Sequence, residues 1–279
     1  MQGTILILAA VAAACCLFSG LARADDQPFL AVYSTDIDSK GEREVEQWLG
    51  WKTGQRGASY NDFLSRNELE YGITDDVQGS LYFNYEWQQL QTHSPPFHSA
   101  TESAVGLSGE LIWRLLNVDF APFGLALYAE PAWSSNEAEV ETKVLLQKNF
   151  LNDRLRWVTN VNFEDDWDRD SSTWTNHSAL EFDMGLTYAV RPQLSAGFEF
   201  DNERAFDGLV MGGSARELAS AFFLGPTINF EPVPWKITIG TQAQLPWATS
   251  PAGNPGRVAD GFSTDAERFR LALRISRDF

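Results

Sequence analysis

The feature that most constrains the fold is an alternation of apolar and polar residues with period two. Over residues 77–87, Val77, Gly79, Leu81, Phe83, Tyr85 and Trp87 alternate with Gln78, Ser80, Tyr82, Asn84 and Glu86. Successive side chains of a strand point to opposite faces, so this spacing predicts a strand with one apolar and one polar face. The pattern recurs along the chain. Val105, Leu107, Leu111, Trp113 and Leu115 oppose Ser108, Glu110 and Arg114. Leu180, Phe182, Met184, Leu186 and Tyr188 oppose Glu181, Asp183 and Thr187. Phe269, Leu271, Leu273 and Ile275 oppose Arg268, Arg270, Arg274 and Ser276. With a weaker first strand near 45–53, about twelve such segments are expected.

A soluble sandwich also alternates, with its apolar face inward. Three observations favour a membrane instead. The polar faces are continuously charged. The segments run to about ten residues, the span of a tilted membrane strand. The connections alternate, with short turns near 74–76, 117–122, 152–153, 191–192 and 232–234, and longer loops over 88–102, 204–218 and 246–266. Lipid cannot satisfy a free sheet edge, so such a sheet must close. The expected fold is all-β: a transmembrane antiparallel up-and-down β-barrel of twelve strands over residues 42–279. The ten tryptophans, Trp48 among them, gather near strand ends, as interfacial girdles would.

One apolar run, 5–18, is too short to span a bilayer as a helix. Ala22 and Ala24 follow it as a small-residue cleavage pattern, so 1–24 reads as a secretory signal peptide. Cys15 and Cys16 both lie within it; a lipoprotein cysteine is the alternative, but the preceding Ala12-Ala13-Ala14 lacks the expected Leu. The mature chain would carry no cysteine, hence no disulfide or thiolate metal site. Losing Arg23 takes its formal charge from −17 to −18, which disfavours nucleic acid as a partner. Residues 25–41 are expected to form either a short periplasmic element or a segment tucked into the lumen.

The chain ends on an amphipathic strand whose outward row is Phe269, Leu271, Leu273 and Ile275, with Phe279 last and Arg277 interrupting the apolar pattern. This resembles the C-terminal signature of outer-membrane barrels, which the barrel-assembly machinery reads during insertion. Glu44-Val45-Glu46-Gln47-Trp48, Glu68-Leu69-Glu70-Tyr71-Gly72-Ile73-Thr74-Asp75, Leu81-Tyr82-Phe83-Asn84-Tyr85 and the stretch 141–150 resemble an uncharacterised family of proteobacterial outer-membrane proteins. That family looks like a neighbour of the outer-membrane family linked to the phenol meta-pathway, regarded as transporters. The resemblance implies the outer membrane of a Gram-negative cell, contact with its lipid, and passage of small solutes. It does not specify the solute or the oligomeric state.

With polar faces inward, the lumen would hold Arg66, Glu68, Glu70, Glu86, Glu110, Arg114, Glu130, Glu141, Lys143, Arg156, Glu164, Glu181, Asp183, Glu199, Asp201, Glu203, Arg268, Arg270 and Arg274. One reading is an acidic aqueous channel favouring cations or polar neutral solutes. The other is a salt-bridge network that fills the barrel, since twelve strands lie near the border between filled and open. An outer-membrane lipid hydrolase or protease is the catalytic alternative, with His93, His98 or His177 beside Ser94, Ser99 or Ser178. A structural or adhesive barrel acting through its loops is a third. No motif calls for a catalytic residue, cofactor or metal; Asp165, Asp166, Asp168 and Asp170 read as a solvated acidic loop, with a surface calcium site as the alternative.

Overall fold

The computed structural model describes residues 27–279 except 96, 136, 171–172, 211–214, 252–256 and the side chain of 170. The expected signal peptide, its cysteines and residues 25–26 lie outside the described residues. Eleven strands follow in order: β1 (Arg43–Gln55), β2 (Ala58–Thr74), β3 (Val77–Thr92), β4 (Ser99–Leu116), β5 (Gly124–Ser134), β6 (Glu137–Phe150), β7 (Leu155–Asp170), β8 (Thr173–Arg191), β9 (Leu194–Asp207), β10 (Arg216–Phe230) and β11 (Trp235–Gln244). A small hairpin, β12 (Val258–Ala259) and β13 (Phe262–Ser263), interrupts the next connection before β14 (Phe269–Asp278). Each barrel strand pairs antiparallel with its neighbours, and β14 pairs with both β11 and β1, closing a twelve-stranded barrel.

The period-two pattern fixes which face looks where. Leu81 and Leu107 on the outer face are 68% and 60% exposed, whereas Gln78, Glu68 and Glu199 on the inner face are 1–2% exposed. A soluble protein shows the reverse arrangement. Closure supplies every strand with two partners, and the outward apolar row is left for lipid. Gln47, an outward polar residue on β1, satisfies its amide with Trp48 O, Ser65 Oγ and Arg66 O. The row Phe269, Leu271, Leu273, Ile275 faces outward beside it, and Arg277 lies over the Trp235 ring at 5.3 Å.

Two expectations need correction. The strands run 10–19 residues rather than about ten. Residues 88–92 and 99–102 are paired strand, with Gln91 opposite Ser99, and β9 and β10 reach Asp207 and Arg216. Those stretches lack apolar alternation because strand standing above the lipid needs no apolar face, so the sequence read them as loop. Trp48 also leaves the proposed girdle: it points inward and its indole N–H donates to Glu68 Oε2 at 3.2 Å.

Candidate functional site in the barrel lumen

Residues 27–41 form no strand; residues 27–38 lie inside the barrel, at the end where β1 begins and β14 finishes, and Lys40 and Gly41 are exposed in the turn that leads into β1. Coil backbone in a lumen must find donors and acceptors, and the wall provides them. Leu30 and Ala31 N–H donate to the two oxygens of Glu199 at 2.8 and 2.7 Å. Asn160 brackets Tyr33, accepting from its N–H at 2.7 Å and donating to its carbonyl at 2.8 Å. Thr35 N–H donates to Gln147 at 2.8 Å and Asp38 N–H to Gln78 at 2.6 Å. Arg156 lies 3.3 Å from Asp36. The segment therefore crosses the lumen from β3 past β6 and β7 to β9.

Apolar contacts match these bonds. Ile37 packs with Ile112, Ala126, Tyr128 and Leu145, while Phe29 and Val32 pack with Val158. Tyr33 meets Tyr128 edge-on at 5.1 Å. Wall glycines make room: a Cβ on Gly185 would stand 2.6 Å from the Phe29 ring, one on Gly240 2.8 Å from Leu30, and those on Gly124 and Gly72 would collide with Thr35 and Ser39. Arg156 and Glu199 were expected in the lumen, but the apolar seat residues Ile112, Ala126, Leu145 and Val158 were not. The available signal was the interruption of the polar face, by Ile112 between Glu110 and Arg114, Leu145 between Lys143 and Gln147, and Val158 between Arg156 and Asn160.

Beyond the segment, toward the loop end, lies a cavity of ≈ 500 Å³. Leu30, Ala31 and Tyr33 form part of its lining; Glu86, Glu130, Glu137, Glu139, Glu141, Glu164, Glu181, Glu199 and Glu203 contribute carboxylates, and Lys52, Arg66, Lys143 and Arg270 contribute cations. The register stacks like charges: Glu141 lies opposite both Glu130 and Glu164, Glu139 opposite Asp166, Glu181 opposite Glu203 and Asp183 opposite Asp201. Such pairs repel, and a few cations offset them. Arg66 reaches Glu130 at 2.6 Å and lies 4.1 Å over the Tyr82 ring. Lys143 pairs with Glu141 at 2.9 Å and stands over both Tyr33 and Tyr128. Arg270 reaches Glu203 at 2.6 Å and also contacts Glu267 and Asp201. Lys52 forms no ion pair among the described residues.

The remaining candidates spread over the barrel's length. Glu110 accepts from Tyr82 Oη at 2.5 Å and Ser80 Oγ at 3.3 Å. Glu70 accepts from Gln78 at 2.9 Å, and Asn162 donates to Asp183 and Glu181. Arg274 lies 3.4 Å from Glu46. Two arginines sit at the ends: Arg114 contacts Asp76 and the Asp75 carbonyl at the β2–β3 turn, and Arg268 lies over the Phe262 ring at 3.7 Å at the loop end. Among the histidines, His177 is 3.8 Å from Asp168, whereas Ser178 Oγ donates to the Gly208 carbonyl. His93 faces Ser59 at 2.8 Å on the exposed rim, a pair the sequence did not suggest. Of the aspartates considered for calcium, only Asp166 joins a compact carboxylate group among the described residues, with Glu137 and Glu139.

The fold has known relatives. The outer-membrane channel COG4313 from Pseudomonas putida F1 superimposes with a TM-score of 0.59 at 13% identity, over 90% of this chain and 100% of that one. The translocator domain of the autotransporter NalP from Neisseria meningitidis gives 0.52 at 9% identity, covering 88% and 91%. The β-domain of the Bordetella autotransporter BrkA gives 0.50 at 8%, covering 86% and 100%. These likenesses show the transmembrane barrel fold. No curated protein matches the chain. Residues 21–270 match a family of unknown function, DUF6662.

Proposed function

The chain belongs to the DUF6662 family, and for this member we propose an outer-membrane channel that passes small cationic or polar solutes. Selectivity rests on the acidic, arginine-containing lumen, and residues 27–41 close the end at which the strands begin and finish. One observation carries the reading: the lumen changes character along its length. The terminal end is an apolar and amide-lined seat shaped to 27–41, while the loop end is a cavity lined with carboxylates in excess of cations. A barrel stiffened only by internal ion pairs would balance its charges and would not need a fitted filling. The solved channel from Pseudomonas putida F1 lends the reading a fold-level analogy.

The test is planar-bilayer recording under a salt gradient, comparing the mature protein with a variant lacking residues 27–38. The variant is expected to give stable steps with a cation-biased reversal potential, and the intact protein only rare ones. Equal silence from both, with folding confirmed by heat-modifiable gel migration, would refute the channel. Equal conductance from both would refute closure by the segment.

A further inference from the structure

Where β1 meets β2 near the terminal end, the register sets carboxylate against carboxylate: Glu44 opposite Glu70 and Glu46 opposite Glu68. All four are buried. Like charges directly opposite on a sheet repel, and a buried charge needs a partner. Lys236 stands 2.5 Å from Glu44, and Arg274 stands 3.4 Å from Glu46. Glu68 has no cation within ion-pair distance among the described residues. Its Oε2 takes the Trp48 indole N–H, and its Oε1 is buried without a hydrogen-bond donor among the described residues. One carboxylate oxygen each from Glu46, Glu68 and Glu70 falls within 4.8 Å of the other two. Oxygens so spaced can share one ion at about 2.4 Å, the usual calcium–oxygen distance.

We propose that Glu46, Glu68 and Glu70 bind one hard divalent cation of the calcium type inside the barrel wall. Three carboxylates and no nitrogen or sulfur donor select a hard ion over a transition metal. The Glu68 carboxylate, one oxygen of which lacks a donor among the described residues, gains a ligand role, and the cross-strand repulsion becomes shared attraction. The site also touches the lumen segment. Gln78 donates to Glu70 at 2.9 Å and accepts from Asp38 N–H at 2.6 Å, so the ion holds rigid the group that anchors Asp38. This inference stands whether or not the barrel conducts.

Trp48 makes the site self-reporting, because its indole nitrogen lies 3.2 Å from Glu68 Oε2. The full-length mature protein, refolded and stripped with chelator, is titrated with terbium while tryptophan is excited. The expected result is saturable sensitised emission at one equivalent, displaced by calcium. Glu68→Gln keeps the shape and the Trp48 acceptor but removes the charge, and should weaken binding at least about tenfold. Trp48→Phe should lose the emission yet still retain one calcium by equilibrium dialysis. Glu139→Gln, in the other acidic group, should leave the signal unchanged. The proposal is overturned if no calcium is retained at millimolar concentration, or if Glu68→Gln binds like wild type. It is equally overturned if Glu139→Gln rather than Glu68→Gln abolishes the emission. Should Glu68→Gln fail to fold, Trp48→Phe decides: loss of both emission and calcium, or persistence of the emission, also overturns it.

Discussion

Gly185→Val tests the seat of the lumen segment where the Phe29 ring rests on the wall. A Cβ at this position on β8 would lie 2.6, 2.7 and 2.8 Å from three carbons of the Phe29 ring. Ordinary contact is about 3.5–4.0 Å, so the ring must withdraw by about an ångström or leave. Phe29 is 1% exposed and packs with Val32 and Val158, leaving little room for a shift. Overpacking of this kind costs about 1–3 kcal/mol, and full exposure of a Phe costs about 1.5–3 kcal/mol. A loss of about 2 kcal/mol in docking corresponds to an undocked population about thirtyfold larger. The barrel should not suffer equally, because Val favours strands and Gly weakens them. The assay uses Val32→Cys, a buried position in a described chain without other cysteines, and a water-soluble maleimide. Labelling should run about thirtyfold faster in the Gly185→Val background, where rapid undocking precedes reaction, and heat-modifiable migration should be unchanged. Equal labelling rates in the two backgrounds would refute the docking of Phe29 on Gly185.

Three further outcomes are expected. Glu199→Gln leaves one acceptor for the Leu30 and Ala31 N–H groups, which should cost the docked segment about 1.5–3 kcal/mol and raise Val32→Cys labelling without changing the urea midpoint of the barrel. Arg66→Met strands Glu130 and removes the guanidinium from the Tyr82 ring; unfolding titrations should show about 3–5 kcal/mol of lost stability, and an unchanged midpoint would contradict the pair's role. Glu139→Gln with Glu164→Gln thins the acidic cavity lining, so reversal potentials of the variant lacking 27–38 should move toward zero, whereas Lys52→Gln should move them further toward cations. The reverse order would remove the lumen carboxylates from selectivity.

Strand number, inward polarity and closure were legible because each depends on a neighbour-to-neighbour alternation that a sequence displays directly. Leu81 and Tyr82 declare opposite faces without reference to anything distant. Strand length was not legible where the strands leave the lipid: Gln88 to Thr92 pair through the backbone, and their side chains carry no apolar period. The seat was not legible because its pattern is shared between partners far apart in the chain. Residues 29–37 hold Phe29, Val32, Tyr33 and Ile37 at irregular spacing, since they follow pockets between Ile112 and Val158 rather than a period of their own. Those pockets left a faint mark as apolar residues on a polar face. Charge pairing is legible only with register in hand, because opposition of Glu46 and Glu68 depends on the offset of β1 against β2. Arg268 and Arg114 had inward parity, but parity does not reveal that a residue stands at a mouth.

Closure of the lumen by the segment that precedes β1 is the step on which the proposed channel turns. Thr35→Cys with Gly124→Cys tests this most directly, because the wall Cβ position lies 3.1 Å from Thr35 Cβ, near the separation a disulfide spans. Single-channel currents are recorded from the oxidised and the reduced double variant. The expected result is a cross-link that forms spontaneously in the folded barrel, silence when oxidised, and cation-biased steps on reduction. Failure to cross-link in folded protein, or equal conductance in both redox states, would contradict it.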